Sequence, residues 1–389
     1  MRQKGPSTRL IHTGEFKTPP DVALTTPIYE TAAFVFDSAD QVRRYQEGRS
    51  DRFLYSRYGN PTVVAAEEKL AALDNAERGL VFSSGMGAVS TALLALLRSD
   101  DEIVCAAAVY GGTYKLVNDV LPGLRIARRF VTLDELREPA RLIGDRTRVF
   151  WFETPTNPTL RCVDIRAVAD ACRARGVVSV IDNTFASPIN QRPIDMGIDI
   201  SMQSATKYLN GHDDVTAGVL TGARSRLDSI DLMRRSLGTV LDPQAAYAMA
   251  RGLKTLPVRM ERHNRNAMAV AQFLELHPRV ARVFHPGLPS HPDHAVAKRQ
   301  MFGFGGMVTF EVDGGLAEAS RVYDRLTLIK RAATLGGLQT VASLPVLTSH
   351  WGYSDEALER AAVTPGMLRL SIGLEDPEDL TADLAQALD

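Results

Sequence analysis

The sequence has few cysteines: its 389 residues include only Cys105, Cys162 and Cys172. Their number is odd and they form no Cys-x-x-Cys pair, which argues against a disulfide framework and against a cysteine zinc site. Unpaired cysteines are typical of proteins that work in a reducing compartment. We therefore expect a cytoplasmic protein.

Long apolar runs and excess charge are also missing. No apolar stretch approaches the roughly 18 residues that a membrane span needs, and residues 1–6 contain no apolar signal region. The 45 basic and 46 acidic residues leave a net charge of −1. Because the arginines are scattered and form no basic tract, we expect neither a membrane nor a nucleic-acid partner.

The sequence does contain enough apolar residues, 45%, for a large core, and a chain of this length usually forms two domains. Residues 1–62 are rich in Thr, Pro and Tyr without regular periodicity, so we expect an arm that packs on a neighbouring subunit. Short apolar runs alternate with helical patterns over 63–241, and residues 242–389 indicate a smaller C-terminal α+β domain.

This alternation predicts an α/β fold, with a mostly parallel sheet and helices on both of its faces. In such sheets, ligands bind at the carboxyl ends of the strands. Asp182 follows the apolar run 177–181, and Lys207 comes soon after the run 198–202. We therefore expect both side chains at one ligand-binding edge.

Lys207 lies in the segment Ser-Ala-Thr-Lys-Tyr at 204–208. A lone lysine after a strand is most often a solvated surface residue, and Asp182 alone would suit a turn cap. Together they suggest a pyridoxal phosphate (PLP) site. The amine can condense with the PLP aldehyde, the hydroxyls of Ser204 and Thr206 can hold its phosphate, and the carboxylate can keep its ring nitrogen protonated.

A glycine-rich loop, Ser-Ser-Gly-Met-Gly-Ala at 83–88, lies between a predicted strand and a predicted helix. Free N–H groups at a helix start make a phosphate-binding site. The alternative is a dinucleotide-binding loop of an NAD-dependent oxidoreductase. Ser90 breaks the Gly-x-Gly-x-x-Gly pattern, however, and about eighty residues precede the loop. An oxidoreductase would also leave Lys207 and Asp182 without a role.

Three more residues are candidates for ligand contacts. Tyr110, beside paired glycines, suits stacking on a flat ring or plain core packing. Asn157, in a proline-rich loop, suits a ring hydroxyl, a substrate carboxylate or a turn. Arg369 is a charge in an apolar strand, and a substrate carboxylate is its natural bidentate partner.

A metal site is not expected. His285, His291 and His294 share a Pro/Gly-rich loop, but no carboxylate or thiol completes an obvious zinc ligand set. We interpret this segment as a loop.

Seven motifs in order resemble the Cys/Met metabolism family of PLP enzymes, the cystathionine γ-synthase and γ-lyase group, over a match that runs from Thr8 to the C-terminus. They are Tyr-Ser-Arg-Tyr-Gly-Asn-Pro-Thr (55–62), Ser-Ser-Gly-Met (83–86), Tyr-Gly-Gly-Thr (110–113), Glu-Thr-Pro-Thr-Asn-Pro (153–158), Asp-Asn-Thr (182–184), Ser-Ala-Thr-Lys-Tyr (204–208) and Leu-Arg-Leu-Ser-Ile-Gly-Leu-Glu (368–375). The resemblance implies the type I fold of PLP-dependent transferases, like aspartate aminotransferase. It also implies a homotetramer built from two catalytic dimers.

The resemblance implies a role for each matching residue. Catalysis would fall to Lys207, which holds the cofactor, Asp182, which pairs with the ring nitrogen, and Tyr110, which stacks on the ring. The implied cofactor-binding set is Tyr55, Arg57, Gly85, Met86, Tyr110, Asn157, Asp182, Thr184, Ser204, Thr206 and Lys207, with Tyr55 and Arg57 reaching a neighbouring subunit's cofactor. The implied substrate-binding set is Arg369, Asn157, Thr334 and Leu335.

The reaction within the family depends on finer differences. Ala333 stands where synthases and cystathionine lyases usually carry a glutamate, so the partner for a distal ammonium group is missing. That favours methionine or homocysteine over cystathionine. Residues 191–195 and 211–218 also look closer to methionine γ-lyases, whereas Gly112 stands where those lyases often carry a cysteine.

The resemblance thus implies α,γ-elimination from a sulfur amino acid (L-methionine, homocysteine or cystathionine) to 2-oxobutanoate, ammonia and a thiol. Two alternatives stay open. One is γ-replacement on O-acetyl- or O-succinylhomoserine, as in a sulfhydrylase or cystathionine γ-synthase. The other is a PLP-binding protein without catalysis, which the intact Lys207, Asp182, Tyr110 and Arg369 disfavour.

Overall fold

The computed structural model describes residues 5–14 and 23–389. Within them the strands are β1 (Arg78–Phe82), β2 (Glu102–Ala106), β3 (Ala127–Val131), β4 (Thr147–Glu153), β5 (Val178–Asp182), β6 (Ile200–Ser204), β7 (Gly218–Gly222), β8 (Val280–Phe284), β9 (Met307–Val312), β10 (Lys330–Arg331), β11 (Val341–Ser343) and β12 (Met367–Ser371). The α-helices are α1 (Pro6–His12), α2 (Ala39–Gln46), α3 (Pro61–Asp74), α4 (Gly85–Leu96), α5 (Gly111–Lys115), α6 (Ile165–Arg175), α7 (Ser187–Asn190), α8 (Arg224–Leu237), α9 (Pro243–Leu253), α10 (Leu256–Glu275), α11 (His294–Gln300), α12 (Gly315–Arg325), α13 (Asp355–Arg360) and α14 (Pro377–Leu388). A π turn covers Leu116–Val120, and 3-10 turns cover Leu121–Leu124, Glu135–Arg137, Pro139–Leu142, Pro193–Met196 and Pro345–Leu347.

Local capping explains several helix boundaries. Asn60 accepts a hydrogen bond from the backbone N–H of Thr62 (2.9 Å) and precedes a proline, so α3 begins there. Ser84 likewise accepts from Gly87 N (2.9 Å) and starts α4. Helix α6 ends at Gly176, whose φ of 65° is left-handed.

The larger sheet has the strand order β1-β7-β6-β5-β4-β2-β3 in the described residues. Strands β3, β2, β4, β5 and β6 are parallel, whereas β7 runs antiparallel to both of its neighbours. The prediction of a mostly parallel sheet is therefore confirmed. Strand β7 is a five-residue segment with glycine at each end, so its sequence gives little periodicity from which a strand could be predicted.

Both faces of this sheet are covered. Leu80 and Phe82 of β1 belong to an apolar cluster that includes residues of α4, α6 and α8. Val81, between them, belongs to a second cluster with residues of α3, α9 and α10. Because successive strand residues point to opposite faces, the two clusters lie on opposite faces of the sheet.

The smaller sheet has the order β10-β11-β12-β9-β8 in the described residues. Residues of β9 and β12 share an apolar cluster with residues of α10, α12 and α14. In the sequence, all strands of the larger sheet come before residue 241 and all strands of the smaller sheet come after it. The predicted domain boundary between 241 and 242 stays a prediction. Leu253 of α9, beyond it in sequence, belongs to the same apolar cluster as Leu70 of α3.

Two consecutive helices, α9 and α10, follow the larger sheet. Pro257 lies in the first turn of α10, where a missing N–H costs no hydrogen bond. No helix in the described ranges is long and apolar enough to cross a membrane.

The predicted arm, 1–62, lies partly outside the described residues, at 1–4 and 15–22. Within the described part, α1 packs its Leu10 in a cluster with Leu70 and Leu73 of α3. The Arg9 guanidinium also donates to the carbonyl of Ala72 (2.5 Å). This part of the arm therefore packs on its own chain.

Candidate active site

A cavity of about 550 Å³ lies at the carboxyl ends of β4, β5 and β6. In a sheet of parallel strands, this edge is where ligands are expected to bind. All predicted site residues except Tyr55 and Arg57 line this cavity. The lining residues among them are Gly85, Met86, Tyr110, Asn157, Asp182, Thr184, Ser204, Thr206, Lys207, Thr334, Leu335 and Arg369. The roles of these residues stay predictions, but the structure places the set in one space.

Lys207 extends from the turn after β6 toward a loop of the smaller sheet. Its Nζ donates a hydrogen bond to Thr334 Oγ1 (3.0 Å). Burial lowers the pKa of Lys207, and the nearby Arg369 guanidinium lowers it further, while Asp213 acts in the opposite direction. A lowered pKa increases the fraction of neutral amine, which is the nucleophilic form.

Asp182 ends β5 and is only 9% exposed. One carboxylate oxygen accepts from Thr184 N (2.9 Å), and the Thr184 hydroxyl accepts from Ser204 N (2.8 Å), which ties the ends of β5 and β6 together. Burial raises the pKa of Asp182. A buried acid of this kind is best stabilised by a cation, and a protonated pyridine nitrogen is such a partner.

The start of α4 provides a place for phosphate. Helix geometry leaves the N–H groups of Gly85 and Met86 without intrahelical acceptors. A Cβ at Gly218 would lie 2.2 Å from the carbonyl oxygen of Ser84, so glycine lets β7 approach this loop closely. The Ser204 side chain reaches the same point, since a Cβ at Gly85 would lie 3.1 Å from its Oγ.

Thr206 shows a different contact from the one predicted. Its hydroxyl accepts from Ala217 N (3.0 Å) and lies 3.3 Å from the Ala217 carbonyl. The residue still lines the cavity. Its contribution to phosphate binding therefore stays a prediction.

Arg369 provides an anchor for a carboxylate. It is 5% exposed, and its Nη1 donates to Asn157 Oδ1 (2.9 Å). Its Nε is buried without a hydrogen-bond partner, and no carboxylate of the described residues pairs with it. Burial lowers the pKa of Arg369 to about 10, so the side chain is charged near neutral pH. A buried, unpaired guanidinium suits a substrate carboxylate.

These features fit PLP. An amine with a lowered pKa, a buried acid for the ring nitrogen and a helix start for the phosphate line one cavity. Beside them, half-exposed Tyr110 presents an aromatic ring. Lys207, Asp182, Gly85, Met86 and Ser204 would hold the cofactor.

Sequence reasoning missed Glu153 as a site residue. It ends β4, lines the cavity and accepts a hydrogen bond from Tyr110 N (2.5 Å). The signal was present, because Glu153 opens the Glu-Thr-Pro-Thr-Asn-Pro motif. Thr348 and Ser349 also line the cavity and were not predicted, since nothing in their local sequence indicates a ligand.

Arg57 lies in a separate cavity of about 180 Å³, where its Nη1 donates to the carbonyl of Arg235 (2.6 Å). Tyr55 is 40% exposed. The histidine loop makes local contacts: His285 and His291 accept from backbone N–H groups two residues ahead (3.2 Å each). No group of three potential metal ligands gathers within the ranges that the structure describes.

Comparison with known proteins gives the same picture. The family model for Cys/Met metabolism PLP-dependent enzymes matches residues 7–389. The L-methionine gamma-lyase of Fusobacterium nucleatum subsp. nucleatum is 41% identical over 392 residues, which cover 100% of this chain and 99% of that protein. The chloroplastic cystathionine gamma-synthase 1 of Arabidopsis thaliana is 40% identical over 94% of this chain and 65% of its own length.

The fold comparison agrees. The crystal structure of cystathionine gamma-lyase from Lactobacillus plantarum, complexed with L-serine, superposes with a TM-score of 0.93 at 34% identity, covering 99% of this chain and 98% of that one. The type I fold expected from the sequence is thus confirmed, and PLP is the cofactor. The chain belongs to the family of Cys/Met metabolism PLP-dependent enzymes.

Proposed function

We propose that this enzyme is a carbon–sulfur γ-lyase that acts on a small sulfur amino acid. With methionine, one molecule of substrate and one of water give 2-oxobutanoate, ammonia and methanethiol. The observation that supports this proposal is the set of side chains that line one cavity. Lys207 is hydrogen-bonded to Thr334 there, and both the buried Asp182 and the unpaired Arg369 line the same space.

Arg369 binds the substrate carboxylate, with Asn157 orienting the guanidinium from its Nη1 side. A planar, bidentate donor holds the amino acid in one orientation. This contact presents the substrate Cα to the amine of Lys207, which lines the same cavity.

When bound, PLP supplies an electron acceptor that stabilises negative charge at the substrate Cα. Lys207 Nζ takes the Cα proton and then moves a proton from Cβ, as the lowered pKa of its amine allows. The Thr334 hydroxyl holds that amine at 3.0 Å. The phenol of Tyr110 donates a proton to the sulfur as it leaves Cγ.

The test is 2-oxobutanoate release by PLP-loaded protein from L-methionine, L-homocysteine and L-cystathionine separately, without added thiol. Release from any of them supports the lyase, and the preferred substrate identifies the leaving group. No release from all three, together with thiol or thioether formation from an acylated homoserine, would identify a γ-replacement enzyme. No product in either assay would identify a PLP-binding protein without catalysis.

Ala333→Glu is expected to shift the preference toward cystathionine. Ala333 lines the cavity, so the new carboxylate would pair with a distal ammonium group. A charge-assisted hydrogen bond contributes about 1.5–3 kcal/mol, hence a roughly 10- to 100-fold rise in kcat/KM for cystathionine relative to methionine. Gln339→Glu, which adds the same charge beside the neighbouring cavity, is the control. An unchanged ratio would show that Ala333 does not set this preference.

We also propose a homotetramer of two catalytic dimers, working in the cytoplasm, where its three buried free thiols suit a reducing compartment. In this assembly Tyr55 and Arg57 complete the neighbour's phosphate site. The exposure of Tyr55 and the position of Arg57 outside the main cavity of its own chain support this placement.

Mixing two inactive variants tests the shared site. Lys207→Ala and Arg57→Ala homomers are each expected to have little activity, while re-assembled mixtures recover about one quarter of the wild-type rate. Half of randomly formed dimers are hybrids, and one of their two sites has both residues intact. Native mass spectrometry would verify the hybrids. If hybrids form and activity stays absent, each site is complete within one subunit.

A further inference from the structure

Glu153 is a buried acid that the mechanism above does not use. It ends β4, directly opposite Asp182 of β5 in the parallel register. It is 4% exposed, and both side chains line the catalytic cavity. Two carboxyl groups thus lie side by side at the ligand-binding edge, and only Asp182 has a role.

The hydrogen bond of Glu153 leads to Tyr110. Its Oε1 accepts from the backbone N–H of Tyr110 at 2.5 Å. Tyr110 is the cap residue of α5, and its own side chain makes no capping hydrogen bond. Glu153 therefore anchors the point at which the chain turns from β2 into α5, and from which the phenol of Tyr110 projects.

The surroundings leave little freedom at this point. A Cβ at Gly111 would lie 2.2 Å from the carbonyl oxygen of Ser349. A Cβ at Gly112 would lie 2.6 Å from the Tyr110 ring and 2.9 Å from the sulfur of Met86. The backbone after Tyr110 therefore has close neighbours, and the Glu153 contact adds a polar anchor at Tyr110 itself.

The charge of Glu153 has no partner. No lysine or arginine of the described residues forms an ion pair with it, and burial, reinforced by the neighbouring Asp182, raises the pKa of Glu153. Asp182 has the additional N–H donor of Thr184. Burial and the neighbouring Asp182 thus favour the neutral form of the Glu153 carboxyl, while the extra N–H donor favours the charged form of Asp182.

We propose that Glu153 is a positioning residue, which holds Tyr110 over the cavity by accepting its backbone N–H. The role depends on the acceptor oxygen and its reach, and a negative charge at Glu153 is not needed. The inference deepens the proposed function, on which its activity measurements rest.

Three variants test whether the enzyme needs the hydrogen-bond acceptor of Glu153 or its negative charge. Glu153→Gln keeps the acceptor at the same reach, and its kcat should stay within about threefold of wild type. Glu153→Asp keeps the acid but withdraws it by one methylene, and Glu153→Ala removes it. Both should lower kcat by about 10- to 100-fold, as small misplacements of catalytic groups do, with KM changed less.

A double-mutant cycle tests whether the effect passes through Tyr110. In a Tyr110→Phe background, Glu153→Ala should lower kcat by less than about threefold, because the phenol it positions is already gone. Full additivity of the two changes would overturn the proposal. So would a Glu153→Gln variant as impaired as Glu153→Ala, which would make the charge essential. A fully active Glu153→Asp would also overturn it, because the reach of the acceptor would then not matter.

One test of Glu153 does not depend on catalytic turnover. The circular dichroism of bound PLP near ~420 nm reports how the cofactor is seated beside the Tyr110 ring. It should be unchanged in Glu153→Gln and reduced in Glu153→Asp and Glu153→Ala. This readout tests Glu153 even if no sulfur amino acid proves to be a substrate. If Glu153→Ala does not fold, the Gln and Asp variants still decide, and an equal band in both would overturn the proposal.

Discussion

Replacing Lys207 with alanine is expected to lower 2-oxobutanoate release by about 10³- to 10⁴-fold or more, since the change removes the base for the Cα proton. The amine is also the group that anchors PLP, so the variant should lose the absorbance band near ~420 nm of the cofactor-loaded enzyme. The fold should persist, because within the described residues the Lys207 amine makes a single hydrogen bond, to Thr334 Oγ1.

Lys298→Ala is the matched control. Lys298 is an exposed lysine on α11, so its loss removes an equal charge and leaves the cavity intact. It should retain wild-type rates and absorbance. Appreciable turnover by a clean preparation of Lys207→Ala would show that another residue moves the proton, and the assignment of the site would fail.

Replacing Arg369 with methionine is expected to lower kcat/KM by about 10²- to 10³-fold, since truncating one partner of a buried charged pair costs about 2–5 kcal/mol. Most of the loss should appear as a higher KM, because the carboxylate contact is made before and during the reaction alike. Tm should change little. The change loses the hydrogen bond to Asn157, but it also removes a buried guanidinium whose Nε has no partner and replaces it with an apolar side chain of similar length.

Arg282→Ala is the control for Arg369. Arg282 is an exposed arginine on β8 of the same sheet, so its loss should leave KM unchanged. Steady-state kinetics and thermal unfolding of both variants distinguish binding from folding. An unaltered KM in Arg369→Met would mean that another group binds the carboxylate.

Much of the site could be predicted from the sequence because its main residues follow short apolar runs. Asp182 ends β5 and Lys207 follows β6, and the carboxyl ends of parallel strands meet at one edge of a sheet. The phosphate loop was equally visible, since Ser84 and Gly85 mark a helix start by local chemistry. Glu153 was overlooked because its role depends on a hydrogen bond to Tyr110, 43 positions away.

The alternation of strands and helices, the cofactor and the residues at the strand ends could all be predicted without coordinates. These depend on local periodicity and on motifs of a few residues. Contacts between groups that are distant in the sequence required the three-dimensional fold. Lys207 forms a hydrogen bond with Thr334, 127 residues away in the sequence, and Arg369 forms one with Asn157, 212 residues away. The fold also placed β7 antiparallel between β1 and β6. Such pairings follow from how whole sheets and loops pack, which no local pattern records.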